Sequence, residues 1–375
     1  MEFCFVYSSG GGAGDWNAID RIWLTSMPVY FKNNLLIKFG DIFFNHRSSN
    51  NLLKPSYWNN TNDARLWLIN NTNDDSLRET ENLVMDVGTS KIVSYITHHN
   101  PQASGIDIID EFDRIINSHR ILEKYCEIIM NSNIKNAVTF DIPNLFKVRT
   151  QVGNVARNLF SEAGCRELLI NASARYANFT YHNINQEKDR LMTIICAQWT
   201  DEDILRYLEL LNYTPVKIAI GGLTDYSYGE FREMLIRLNK LLDFNQFNKV
   251  HFLGSGGIKK ANLIISTLGN KSNFSVDNTT AYNRSIDGNT SGTSQSGYYD
   301  YMSKNMIRIN PRSVDYILKL HDSVPNDRAL FKTAEMEIIL RSVLKHQSGQ
   351  SSHETYNNRA KLIIHNFDVY KFNVE

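Results

Sequence analysis

The chain has 375 residues, of which 42% are hydrophobic and 21% charged, and its 40 Lys and Arg balance 40 Asp and Glu. That length suits one large α/β domain with additions or two ordinary domains, and the neutral balance argues neither for nor against a nucleic-acid partner. No apolar run approaches the roughly 18 to 20 residues of a membrane span, and MEFCFVYSSGGG lacks the basic start and apolar core of a signal peptide, so a cytoplasmic protein with no membrane partner is expected.

In chain order, residues 3–7 read as a first strand running into SSGGGAGDW, whose glycines lack the Lys and Ser/Thr of a nucleotide-binding loop. Residues 35–44 and 65–69 read as further short strands or edge pieces, and the Asn- and Ser-rich stretch between them as surface loop. Residues 82–85 form an apolar run that ends at Asp86. A helical pattern follows over 107–132, with Ile115, Ile116, Ile121, Leu122, Ile128 and Ile129 at helix-like spacing. Residues 137–140 run to Asp141, and Pro143 prevents that strand from continuing. Helical signals over 152–170 precede an apolar run at 191–196 that ends in Ala197, Gln198 and Trp199. Thr200 with Asp203 resembles a capping box for a helix over 201–211. Residues 218–220 stop at Gly221 and Gly222 and residues 250–253 at Gly254 to Gly257, each leading into a helix; residues 274–276 then reach Asp277. A polar loop over 278–296, a helical region over 313–346 and a strand or helix-to-strand tail over 361–372 complete the chain.

Strands alternating with helices, each strand ending in a polar residue or glycine, predict an α/β fold: a (β/α)8 TIM-like barrel with helical C-terminal additions. The expected division is a barrel over 1–300 and a helical extension packed on it over 301–375. Carboxylates and glycines at strand ends sit where such folds gather ligands. The residues alone leave blander roles open. An Asp after a strand also serves as the N-cap of the next helix, Gln198 is equally at home as a satisfied core amide, and His98 and His99 read as surface residues.

The motifs, in this order, resemble the tRNA-guanine transglycosylase superfamily. VMDVG at Val84 to Gly88 is similar to that family's Asp-Ser-Gly-Gly segment, TFD at Thr139 to Asp141 to its base-recognising Asp, and CAQW at Cys196 to Trp199 to its Val-Gln-Gly-Gly segment. AIGGL at Ala219 to Leu223, HFLGSGG at His251 to Gly257, and Asp277 with TTAYNR resemble the second half of its barrel. The family exchanges a guanine base in a nucleic acid for a 7-deazaguanine by double displacement. The resemblance implies Asp277 as nucleophile at C1′ and Asp86 as general acid/base. It implies Asp141, Gln198, Gly221, Gly222 and Leu223 around the base, Gly254 and Gly256 near backbone or sugar, and Arg284 on a flanking phosphate.

Several departures narrow the expectation. The family's CxCxxC zinc segment has no counterpart: Cys4, Cys126, Cys165 and Cys196 are widely spaced, none follows residue 278, and they read as buried thiols, so neither metal nor cofactor is expected. The aromatic that stacks on the base after the first Asp motif is missing, since residues 87–91 read VGTSK, and Trp199 or Tyr282 is expected to replace it. A zinc-free chain looks more like the DNA-directed branch of phages and bacteria. The partners implied are duplex DNA with a flipped guanine and a free 7-deazaguanine such as preQ0, with homo-oligomerisation open. The alternatives are a tRNA-guanine transglycosylase, a hydrolytic N-glycosidase, and a non-catalytic nucleic-acid-binding barrel.

Overall fold

The computed structural model describes residues 1–7, 27, 32–45, 47–150, 153–223, 226–278, 296–350 and 352–374. Eight parallel strands close into a barrel: β1 (Glu2–Tyr7), β2 (Asn34–Lys38), β3 (Asn82–Asp86), β4 (Asn136–Val138), β7 (Leu191–Cys196), β8 (Lys217–Gly221), β9 (Lys249–Phe252) and β10 (Phe274–Asn278), with β10 returning to pair with β1. Two antiparallel hairpins stand apart from it. One, β5 (Leu145–Thr150) with β6 (Gly153–Asn158), follows β4; the other, β11 (Gly297–Tyr299) with β12 (Met306–Arg308), follows β10. The expected (β/α)8 barrel with helical C-terminal additions is the architecture observed.

Strands covered on both faces need apolar side chains throughout, which is why β7, LMTIIC, is buried at every position. The helices between strands bury one stripe each. In helix Gly105–Ser118, Ile108, Ile109, Phe112, Ile115 and Ile116 face the core, and Ser104 with Asp107 closes a capping box at its start. The expected single helix over 107–132 is two, because Arg120 adopts a left-handed backbone before helix Ile121–Asn131. Thr200 and Asp203 form the anticipated capping box, on helix Asp201–Glu209.

Four local expectations are corrected. Residues 65–69 belong to helix Ala64–Thr72, because the Asp63 side chain accepts from the N–H groups of Arg65 and Leu66. The buried Arg65 guanidinium donates to the carbonyls of Leu77, Arg78, Thr80, Ser132 and Asn133, tying that helix to the chain around β3. Only the first half of 35–44 is strand, since helix Phe39–Phe43 takes over after Lys38. Residues 153–158 are β6, whose backbone pairs with β5, and the helix starts only at Cys165 after left-handed Gly164. The tail over 361–372 lies inside helix His353–Val374; Ala360, Ile363, Ile364, Phe367 and Tyr370 recur at helical spacing and are buried.

That last helix covers the seam of the barrel. Phe367 packs edge-on to Phe3 and Phe5 of β1, with ring centroids 6.1 and 5.0 Å apart. The four cysteines are buried and unpaired, and His98 and His99 are exposed. Among the described residues no helix is long and apolar enough to cross a membrane.

Candidate active site at the carboxyl mouth of the barrel

Parallel strands deliver all their C-terminal ends to one mouth of the barrel. Lys38 ends β2, Asp86 ends β3, Asp141 follows β4, Gln198 follows β7, Gly221 ends β8 with Gly222 next, Gly254 follows β9, and Asp277 lies near the end of β10. Strand topology therefore collects at one place residues spread over most of the sequence.

Asp277 is the most firmly held. Its Oδ1 accepts from the Gly254 N–H at 2.8 Å and lies 3.1 Å from His251 Nε2. The wholly buried imidazole has its Nδ1 2.9 Å from the Ser275 hydroxyl. Among the described residues both bonds are to Oδ1 and none is found to Oδ2. The turn carrying Gly254 needs glycine twice. Gly254 itself has φ +68°, and a Cβ on Gly256 would lie 2.7 Å from Phe3 Cε2 and 3.0 Å from the Asp277 carbonyl, to which the Gly256 N–H donates.

Asp86 faces Lys38 across the β2–β3 register, Nζ to Oδ2 3.9 Å. Burial raises the Asp86 pKa; Lys38 pulls it down and the Asp277 carboxylate pushes it up, with a net rise. For Lys38, burial favours the neutral amine, but Asp86, Asp41 and Asp277 outweigh it and hold the ammonium charged. Asp141, which accepts from Thr89 Oγ1 at 3.3 Å, is pushed up to about 7 by burial and then by the Asp86 charge. The Asp277 charge thus acts on Asp86 and the Asp86 charge on Asp141, the kind of coupling found where acid and base roles are separated.

Gln198 closes the other side. Its Oε1 accepts from Asn144 at 2.6 Å and its Nε2 donates to the Gly222 carbonyl at 3.3 Å, which fixes the amide plane and leaves one N–H for a ligand. Gly222 has φ +73°. Gly221 is buried, and its carbonyl accepts from the Ala197 N–H at 3.0 Å. The Leu223 side chain is fully buried, while its carbonyl accepts from Lys260 Nζ. Trp199 is not available to stack on a base: it is 3% exposed and lies parallel to Phe160 at 6.2 Å. Tyr282 and Arg284 lie outside the described residues.

The sequence reading missed Lys38, Thr89, Asn144 and the role of His251. Two carried a usable signal. Lys38 closes an apolar strand, and His251 is the one ionisable group inside the apolar run of β9, one residue before the end of that strand.

No protein-family model matches the sequence, and no curated protein matches it either. Among the described residues no group of three or more His, Cys, Asp or Glu side chains is arranged to hold a metal ion.

Proposed function

We propose that the protein is a DNA-guanine transglycosylase that exchanges guanine for a 7-deazaguanine base through a covalent intermediate on Asp277. The observation that carries this reading is the Asp277 carboxylate, anchored through Oδ1 by Gly254 and His251 and with no bond to Oδ2 among the described residues, near two aspartates of raised pKa. Cleaving an N-glycosidic bond leaves positive charge at C1′, and a fixed carboxylate oxygen there stabilises the charge or captures it.

In this reading Oδ2 of Asp277 attacks C1′, the C1′–N9 bond breaks, and its electron pair leaves with the base. Asp86, whose pKa burial raises, acts as the acid that gives a proton to the departing guanine. The incoming base then attacks C1′ and displaces the Asp277 oxygen, while Asp86 takes the proton released from that base. Lys38, 3.9 Å from Asp86, limits the rise that burial causes there. Asp141 accepts from the ring N–H and exocyclic amine of a guanine-like edge, and Gln198 with the Gly222 N–H serves O6. A flipped nucleotide is required for duplex DNA.

The test is transfer of labelled guanine or preQ0 into DNA and into tRNA, with mass analysis of protein trapped on DNA. Exchange into DNA with an adduct on Asp277 is expected. Exchange into tRNA alone assigns the other branch of the superfamily; release of guanine without an incoming base makes the protein a glycosidase.

A further inference from the structure

A cavity of about 540 Å³ opens beside Gly254, between the glycine turn after β9 and the β11–β12 hairpin. Its wall includes Gly257, Lys259, Lys260, Tyr299 and Lys304, and no acidic side chain. The lysines come from two separate elements. Lys259 and Lys260 occupy the first turn of helix Ile258–Leu268, whose N-cap, Gly257, has no side chain with which to cap it. Lys304 stands in the hairpin turn with a left-handed backbone, φ +58°, fixed by its N–H donating to the Asp300 carbonyl at 3.0 Å.

Lys304 is packed against an aromatic ring that it shares with a second cation. Its ammonium lies over the Phe372 ring at 5.1 Å, and the Arg328 guanidinium lies over the same ring at 5.5 Å. Burial lowers the Lys304 pKa, Arg328 adds to this, and Asp300 and Asp368 oppose it without cancelling it. Asp300 Oδ2 also accepts from the Ser303 N–H, and the Asp368 carboxylate accepts from the Tyr301 hydroxyl. An anion in the cavity adds to these carboxylates in favouring the Lys304 ammonium against its burial. Gly254 links the cavity to the anchored carboxylate, because it lines the one and its N–H donates to Asp277 Oδ1 of the other.

We infer that this cavity seats a phosphodiester of a polynucleotide, next to the nucleotide whose C1′ reaches Asp277. The inference rests on the transglycosylase reading for what occupies the base pocket; the lysine-lined cavity itself stands on geometry. A small phosphorylated metabolite carries the same phosphate chemistry, and the experiment separates the two sources.

Binding of a labelled oligodeoxynucleotide to the full chain is measured from 50 to 300 mM salt for wild type, for the double variant Lys259→Ala with Lys304→Ala, and for Lys304→Arg. Loss of two phosphate contacts reduces the salt slope by about 1.8 and weakens binding roughly ten-fold or more, while Lys304→Arg stays close to wild type. Circular dichroism confirms that the variants fold. An unchanged slope and affinity in the folded double variant overturns the inference. So does a wild type that binds inorganic phosphate or ribose 5-phosphate but no oligonucleotide. A wild type that binds DNA through these lysines yet exchanges no base sinks the transglycosylase reading and keeps the phosphate seat.

Discussion

His251 Nε2 lies 3.1 Å from Asp277 Oδ1, inside a barrel wall that leaves the imidazole no solvent contact. The ring is held on its other side by Ser275, so Ser275, His251 and Asp277 form one chain of hydrogen bonds across neighbouring strands. Removing a bond to a charged group costs about 1.5–3 kcal/mol. His251→Phe should therefore slow adduct formation roughly 10- to 100-fold, with the loss in kcat and not in KM, and His251→Gln, which keeps a donor, should recover part of it. Single-turnover kinetics with DNA measures both; equal rates in the Phe variant and wild type would remove His251 from the mechanism.

The two strand-end aspartates are expected to fail differently. Asp277→Asn should abolish the trapped adduct and lower exchange about a thousand-fold or more. Asp86→Asn should still bind base but lose the proton transfer, so its adduct forms faster with a substrate whose leaving base departs without protonation. Intact-mass analysis after quenching separates the two. An adduct of normal yield on Asp277→Asn places the nucleophile elsewhere.

Asp141 gives a pH dependence with a definite sign. Its folded pKa, about 7, lies above the ordinary value of 3.8, so between these limits the folded protein holds more protons than the unfolded chain. Its contribution therefore falls as pH rises through that window and is at its most unfavourable above pH 7. Asp141→Asn should raise stability at pH 8 by roughly 1–3 kcal/mol and leave it nearly unchanged at pH 4. Binding of free guanine runs the other way. Wild type should bind it more tightly at pH 8 than at pH 6, because an ionised Asp141 accepts both donors of the base, and the Asn variant should lose that trend. Thermal unfolding and calorimetric titration across pH 5 to 8 read both effects.

Gly256→Ala places a methyl group where Phe3 and the Asp277 backbone already stand. The strain should cost about 1–3 kcal/mol in chemical denaturation and shift Asp277 enough to depress exchange in the surviving folded protein. The substitution at Gly229, where a Cβ meets nothing within 4 Å, is the control.

Strand ends were legible because a fully buried parallel strand must be apolar and must stop somewhere polar. Residues 191–196 were bounded as observed, and Asp86, Asp141, Gln198 and Asp277 were all found at the mouth. What failed was local pattern where partners decide. Residues 65–69 look like a strand until the Asp63 cap and the carbonyls gathered by Arg65 are seen. Residues 153–158 became β6 because β5 offered a ladder. Trp199 read as a base-stacking ring, but its position toward Phe160 depends on a helix and a hairpin that no spacing in the sequence reports. His251 and Asn144 act only through residues far away in the chain, which periodicity cannot see.

Cys4 of β1 stands opposite Asp277 of β10 in the closing register. The strand of the proposed nucleophile therefore takes one of its two neighbours from the first strand of the chain, a pairing of high sequence separation. Loop closure of this kind is slow. On refolding, helical signal should return before any capacity to form the adduct, and the lag between them is a clock for the zipping of β1 to β10. If the transglycosylase reading holds, base exchange then reports the closing of the barrel, with the helix over Phe3 and Phe5 locking the join.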